Sequence, residues 1–435
     1  MLSSLSQTGQ VTSILVIIVL VYVIAYRFLR FGNPLAMLFS AVIGGFCSGF
    51  GPFDVTRHIV EGSFTFINII LIIYMATVFI YIQKESKALD ALVRDVIIHF
   101  HNWPKVLVVL LMFLIMLPPA FTGPGADGIF AFGMLVSSVL LSMGVPLVKT
   151  TAFVAIGGTL GVFAPPVNVP CMIIASGINM PYVGFMVPLL LVTIPVAVFS
   201  ALFLCWNYVG PVDAEAVLKK LPPIPERMRG IRVYLPLIVV VGLMLSIRAF
   251  PHFFPPLGIP LIFTIGAIVA VIMAGKTDFM KVSREAFDDT FSINAILLAV
   301  GAMVQIMALT GVRGLFVLAA ITVPAVLLYL VIMFGFPLFA GVLTSFGAAS
   351  VFGVPFMLAL LGRDPIIATI GLSLIAVVGN IIPPTAVLGI PAAIVTGYKE
   401  SYNNVVRVSL VPIIATLVFG IALVIFANAF RFLRF

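Results

Sequence analysis

The chain has 435 residues, of which 62% are hydrophobic and 9% charged, whereas a soluble domain is about a quarter charged. No water-soluble fold hides that much apolar surface, and the recurring apolar runs of about 20 residues each suffice to cross a hydrocarbon core about 30 Å thick. The formal charge of +8 is scattered through short loops and builds no basic face, which argues against nucleic-acid binding.

In chain order, three spans are predicted near residues 11–29, 34–50 and 63–83. Val11 to Ala25 follows an uncharged stretch and lacks a small-residue cleavage site, so it reads as a first span and not as a removed signal. The stretch Gln83 to His101 sets Lys84, Lys87, Asp90, Arg94 and Asp95 among Leu89, Leu92, Val93, Val96 and Ile97, a pattern suited to a helix lying in the interface. Val106 to Leu117 then runs into PPAFTGPGADG at 118–128 and returns through Ile129 to Met143. The tip has no basic residue and a single charge, Asp127, which predicts a re-entrant hairpin. The segment from Lys149 to Ile178 contains GVFAPPVNVP at 161–170. It must break at Pro165 and Pro166, because adjacent prolines remove two backbone donors and their rings clash with the preceding turn. A span from Met186 to Tyr208 closes the first half, and the polar linker Gly210 to Arg232 divides the chain.

The second half repeats the plan. Spans near 234–250, 257–275 and 291–311 precede a hairpin expected from Leu315 to Leu361. A segment from Ile366 to Thr396 breaks at Pro383 and Pro384, within GNIIPPTAVLGIP at 379–391, and a last span runs from Val408 to Ala427. Gly144, Gly161, Pro165 and Pro166 recur at Gly362, Gly379, Pro383 and Pro384, each 218 positions on. Internal repeats with Pro-interrupted helices at matching positions mark the binding region of transporters. The expected fold is therefore all-α and polytopic, with two repeats that each contain a re-entrant hairpin and a broken helix.

If the hairpins do not cross, each half has five crossings, an odd number, so the second half is inverted. With the N-terminus outside, 17 of the 23 Lys and Arg residues fall on the face of the linker, Lys219 and Lys220 among them, which makes that face cytoplasmic. Segments 106–180 and 315–398 are expected to form a transport domain. Residues 1–105 and 234–314 would be its scaffold, 210–233 a cytoplasmic linker, and 181–209 and 399–435 the closing spans.

Irregular backbone at membrane depth is tolerated only where it is buried in protein or lines a wet cavity. Four such places occur, and polar or small residues gather at each. Thr122, Gly123, Gly125 and Asp127 lie at the first tip, and Thr159 and Asn168 around the first break. Thr344, Ser345 and Gly347 mark the second tip, and Gly379, Asn380 and Thr385 the second break. These are the expected substrate- and ion-binding residues. Asp127 leads them as the only carboxylate between Asp95 and Asp213, because an intramembrane acid is a functional hypothesis by default. Arg313 and Arg363 read as interfacial anchors. Cys47, Cys171 and Cys205 lie far apart, and His58, His99, His101 and His252 sit in loops or the interfacial stretch, so no metal site is expected beyond a coupling ion. No protease or P-loop signature is present, and the chain reads as a non-enzyme without an organic cofactor.

At TGPGADGIFAFG (122–133), GTLGVFAPPVNVP (158–170) and VGNIIPPTAVLGIP (378–391) the sequence resembles the large permease subunit of tripartite ATP-independent periplasmic (TRAP) transporters, within the ion transporter superfamily. The likeness in order of elements covers nearly the whole chain. It departs at Pro124 and Gly125, where that family carries serines. The resemblance implies a bacterial inner-membrane protein with an elevator motion, sodium coupling with a proton as the alternative, and uptake of organic acids such as dicarboxylates or sialic acid. It also implies two partners, a small membrane subunit and a periplasmic substrate-binding protein. An ion or metal-oxyanion antiporter of the same superfamily and a passive channel remain as alternatives.

Overall fold

A computed structural model of the chain describes residues 7–434 except 209, 211–214, 216, 217, 219–222, 251, 256, 276 and 361. Parts of the linker, Lys219 and Lys220 among them, and Leu361 lie outside the described residues. The first half contains α1 (Gln7–Arg27), α2 (Asn33–Cys47), α3 (Pro52–Ser63), α4 (Ile67–Glu85), α5 (Ala88–Phe100), α6 (Pro104–Thr122), α7 (Gly125–Ser142), α8 (Leu147–Phe163), α9 (Val169–Gly177) and α10 (Met186–Cys205). The second contains α11 (Ile231–Ala249), α12 (Ile259–Ala274), α13 (Phe279–Leu309), α14 (Val312–Thr322), α15 (Ala325–Leu330), α16 (Phe336–Ala348), α17 (Val354–Ala359), α18 (Pro365–Val378), α19 (Gly389–Thr396) and α20 (Tyr402–Ile425). Prolines stand in the first turns of α2, α3, α6, α9, α12 and α18, where the missing donor has no intrahelical acceptor to lose. Among the described residues, eight helical segments are long and apolar enough to cross a membrane. The fold is that of an all-α polytopic membrane protein.

The first hairpin is α6 and α7. Gly123 at its tip has φ +97°, a conformation open to glycine. Its legs touch so closely that a Cβ on Gly128 would stand 2.0 Å from the Ile115 carbonyl oxygen. The second hairpin begins at Ala325 and not at Leu315, since 312–322 form the separate helix α14. Val323 is extended (φ −73°, ψ 135°) because it precedes Pro324. The chain reverses at Thr344 (φ 66°, ψ 161°). Ring contacts between Phe339 and Phe352 (centroids 4.2 Å apart) and Phe336 and Phe356 (5.5 Å) show that the two legs fold back on each other. Two π-helical turns, Val331–Gly335 and Ala349–Gly353, interrupt those legs.

A second departure from the sequence reading is α13, which starts at Phe279, a dozen residues before the expected span. The Asp278 side chain accepts from the Lys281 amide and starts the helix. Hydropathy misses this stretch because Lys281, Arg284, Glu285, Asp288 and Asp289 are exposed. Helix α3 is also additional to the expected spans.

The helices pack in two groups. One contains α1 to α4 and α11 to α13, and α14 lies between the groups, packed on α1 and α13 and on α17 of the second hairpin. The other contains both hairpins, α8, α9, α18 and α19, and the closing spans α10 and α20 pack on it as well. Helix α5 bridges α4, α6 and α11, and its Asp95 accepts a hydrogen bond from Tyr234 of α11 (2.8 Å). Between the groups, Phe79 of α4 and Phe263 of α12 meet Phe121 of α6, with centroids 6.0 and 5.8 Å apart.

Within the second group, the repeat is visible in the backbone. The amide of Val167 donates to the Ala120 carbonyl (2.9 Å), and that of Thr385, 218 positions later, to the Gly341 carbonyl (3.3 Å). Each break is thus tied to the incoming leg of its own hairpin. The peptide bonds Pro165–Pro166 and Pro383–Pro384 are both cis.

Candidate functional site: a cavity between the hairpin tips

A cavity of about 370 Å³ lies where the two helix groups meet. Pro124, Gly125, Ala126 and Asp127 line it from the first tip, and Thr344, Ser345 and Phe346 from the second. Asn380, Val387 and Leu388 come from the second break, Val162 from the end of α8, Thr77 from α4, and Asp289, Thr290 and Ser292 from α13. Among the described residues, the charged groups lining it are two carboxylates, Asp127 and Asp289, and no Lys, Arg or His joins them.

Both tips present helix starts to this space. Helix α7 begins at Gly125 after Pro124, and the outgoing leg of the second hairpin begins at Ser345. The first amides of a helix have no intrahelical acceptor, and the peptide dipoles add partial positive charge there. Gly125 also has no room for a side chain, since a Cβ would meet Leu388 at 2.4 Å and the Gly158 carbonyl at 2.7 Å. That contact seats the first tip against both α8 and the second break. Asp127, half-buried in the first turn of α7, accepts a hydrogen bond from the Thr122 hydroxyl (2.5 Å).

The second tip is held by Asn380. Its Oδ1 accepts from the Ser345 amide (3.2 Å) and its Nδ2 donates to the Ser345 hydroxyl (3.1 Å). Thr385 donates its hydroxyl to the Gly341 carbonyl (2.5 Å). Gly379 packs against Pro337 and Ala340 of the incoming leg, and Gly347 against Leu343.

Of the expected binding residues, the structure brings Gly125, Asp127, Thr344, Ser345 and Asn380 to the cavity wall. Thr122, Gly123, Gly347, Gly379 and Thr385 lie behind it, and Thr122 reaches it through Asp127. Among the described residues, the first break contributes only the apolar side chain of Val162 to the cavity wall. Thr159 bonds the Ala155 carbonyl of its own helix (2.9 Å). Asn168 serves as a post: it caps α9 at the Cys171 amide, accepts from Ser373 of α18 and donates to the Phe163 carbonyl. Pro165 and Pro166 instead line a separate apolar groove with Phe113, Phe121, Leu190 and Val241. The physical reason is placement: Asn168 ties the first break to Ser373 of α18, whereas Asn380 ties the second break to the hairpin tip that borders the cavity.

The sequence reading missed Thr77, Asp289, Thr290 and Ser292. Asp289 lies outside the span predicted from residue 291. Asp278, an N-cap residue three positions before Lys281, was the signal that could have moved the start. The Tyr81 hydroxyl of α4 donates to Asp289. Arg313 is half-buried and donates to the Gly177 carbonyl at the end of α9 (2.5 Å), and Arg363 donates to the Tyr329 hydroxyl (3.2 Å). Among the described residues, no cluster of three or more metal-ligating side chains occurs.

No family model and no curated protein sequence matches the chain. Two solved structures share its fold along nearly its full length. The YdaH transporter of Alcanivorax borkumensis is 15% identical with a TM-score of 0.59, over 98% of this chain and 98% of that one. MtrF of Neisseria gonorrhoeae, of a class of antimetabolite efflux pumps, is 16% identical with a TM-score of 0.59, over 96% and 94%. The chain has the fold of these membrane transporters. That likeness does not single out the TRAP permeases.

Proposed function

We propose that the chain is a secondary transporter that carries a small organic anion across the bilayer together with a proton, by an elevator-like displacement of the hairpin group. One observation carries the reading: two helix starts and a half-buried carboxylate from the hairpin group meet in one cavity against the other helix group. Helix starts favour a carboxylate on the substrate. The proton is assigned to Asp127, which a single O–H bond neutralises. Pro124 and Gly125 offer no hydroxyl at the tip for a sodium ion. An exporter is the second reading, supported by the fold shared with MtrF.

Reconstitution into proteoliposomes on a solid-supported membrane tests this, with succinate and benzoate as probes under imposed proton or sodium gradients. A saturable, probe-dependent current that follows the proton gradient is expected. Folded protein giving no such current with either probe and either gradient would refute the reading.

A further inference from the structure

The second carboxylate of the cavity belongs to the opposite wall. Asp289 lies in the third turn of α13, is exposed, and accepts the Tyr81 hydroxyl of α4. Asp127 faces the same space from the hairpin group, with Thr122 as its hydrogen-bond donor. Each carboxylate is therefore held by a hydroxyl from its own helix group, and the cavity between them contains no basic side chain. Other charged groups stand outside. Lys84 is one turn beyond Tyr81, its ammonium 5.3 Å from that ring's centroid, and Glu285 and Asp288 flank Asp289 on α13. On α3, which also packs on α13, Arg57 pairs with Glu61 (2.8 Å), beside the crossing of Gly62 with Gly301, three turns from Asp289.

We propose that Asp289 is the receiving station for the coupling proton: Asp127 brings it on the hairpin, and Asp289, with Tyr81, takes it on the opposite wall. In the step, the O–H bond at Asp127 breaks as one forms at Asp289, through water in the cavity, and Asp289 then releases the proton to solvent. Nothing is oxidised or reduced. The arrangement couples the transfer to position, because the two carboxylates sit on different helix groups and share a cavity only when those groups stand as they do here. The inference rests on the reading of Asp127 as the proton carrier.

The test uses the full chain in lipid and needs no substrate. Infrared difference spectra are recorded across a pH titration, with Asp127→Asn identifying the Asp127 carboxyl band. Two carboxyls that exchange a proton titrate as a pair in two shared steps. Asp289→Asn is expected to leave Asp127 a single step, displaced by about one pH unit from the wild-type behaviour. Tyr81→Phe, which keeps both carboxyls, is expected to displace the shared steps by a smaller amount, and Asp289→Glu to restore two. An Asp127 band that titrates identically in wild type, Asp289→Asn and Tyr81→Phe overturns the proposal. A wild type that shows coupled titration but no proton-driven current refutes the transport reading instead, so the two failures are distinct.

Discussion

Asn380 supports the second tip through two hydrogen bonds to one residue, and Asn380→Ala removes both. The Ser345 amide loses its acceptor and the Ser345 hydroxyl a donor, in a place where both residues are buried. At about 1 kcal/mol net per bond the cost is roughly 2 kcal/mol. If that cost falls on local opening of the tip, its open population rises by about 30-fold, since 1.36 kcal/mol is a factor of ten. Hydrogen exchange read by mass spectrometry over residues 343–349 reports this directly, as an equally large acceleration at the Ser345 amide. Asn380→Asp keeps an acceptor for that amide and is expected to lose much less protection. Exchange in Asn380→Ala within about twofold of wild type, or equal losses in both variants, would show that the tip is held by packing and not by this side chain.

Asp127→Asn keeps an oxygen for the Thr122 hydroxyl but cannot carry a proton, so proteoliposome currents should lose their dependence on the proton gradient by about tenfold or more at unchanged expression; unchanged gradient dependence sinks the assignment. Gly128→Ala forces a Cβ onto the Ile115 carbonyl, 2.0 Å away, and because that neighbour is backbone the legs must part, at about 3 kcal/mol. A thermal unfolding midpoint equal to wild type would contradict the close hairpin. A cysteine at Ala126, on the cavity wall, should change its labelling by impermeant maleimide from one side of the membrane to the other with the imposed gradient, and labelling confined to one side under all gradients argues against the elevator displacement.

The order of elements was legible because Gly and Pro punctuate locally: α8 stops before Pro165 and Pro166, and Pro383 and Pro384 lie between α18 and α19. The first leg runs further than expected, since α6 continues through Pro118 and Pro119 to Thr122 and ends at Gly123, not at Leu117. The limits of α13 and the existence of α14 were not, since hydropathy averages over a charged but helical stretch and over the short extended step at Val323. The fate of the two breaks was half legible. Val167 and Thr385 occupy the same register and each donates to the incoming leg of its own hairpin, at Ala120 and Gly341, yet only the second break brings a polar side chain to the cavity, which depends on the neighbours each acquires in three dimensions. The Asp278 cap could have placed Asp289 on a helix, but its place in the cavity was illegible for the same reason. Its partner Tyr81 lies 208 positions away in sequence, and its meaning comes from facing Asp127 across a space that no single segment encloses.

The aromatic seam between the helix groups bears on how they can shift. Phe79, Phe121 and Phe263 meet at tilted and edge-on angles, held by dispersion and apolar burial, forces without fixed partners. Hydrogen bonds across a sliding surface must all break before any re-form, so they define notches. Rings have no such register, and one can roll over another with its apolar faces still covered. In the proposed displacement the seam would act at this contact like a greased bearing, with resistance set by shape and not by bonds that must be surrendered.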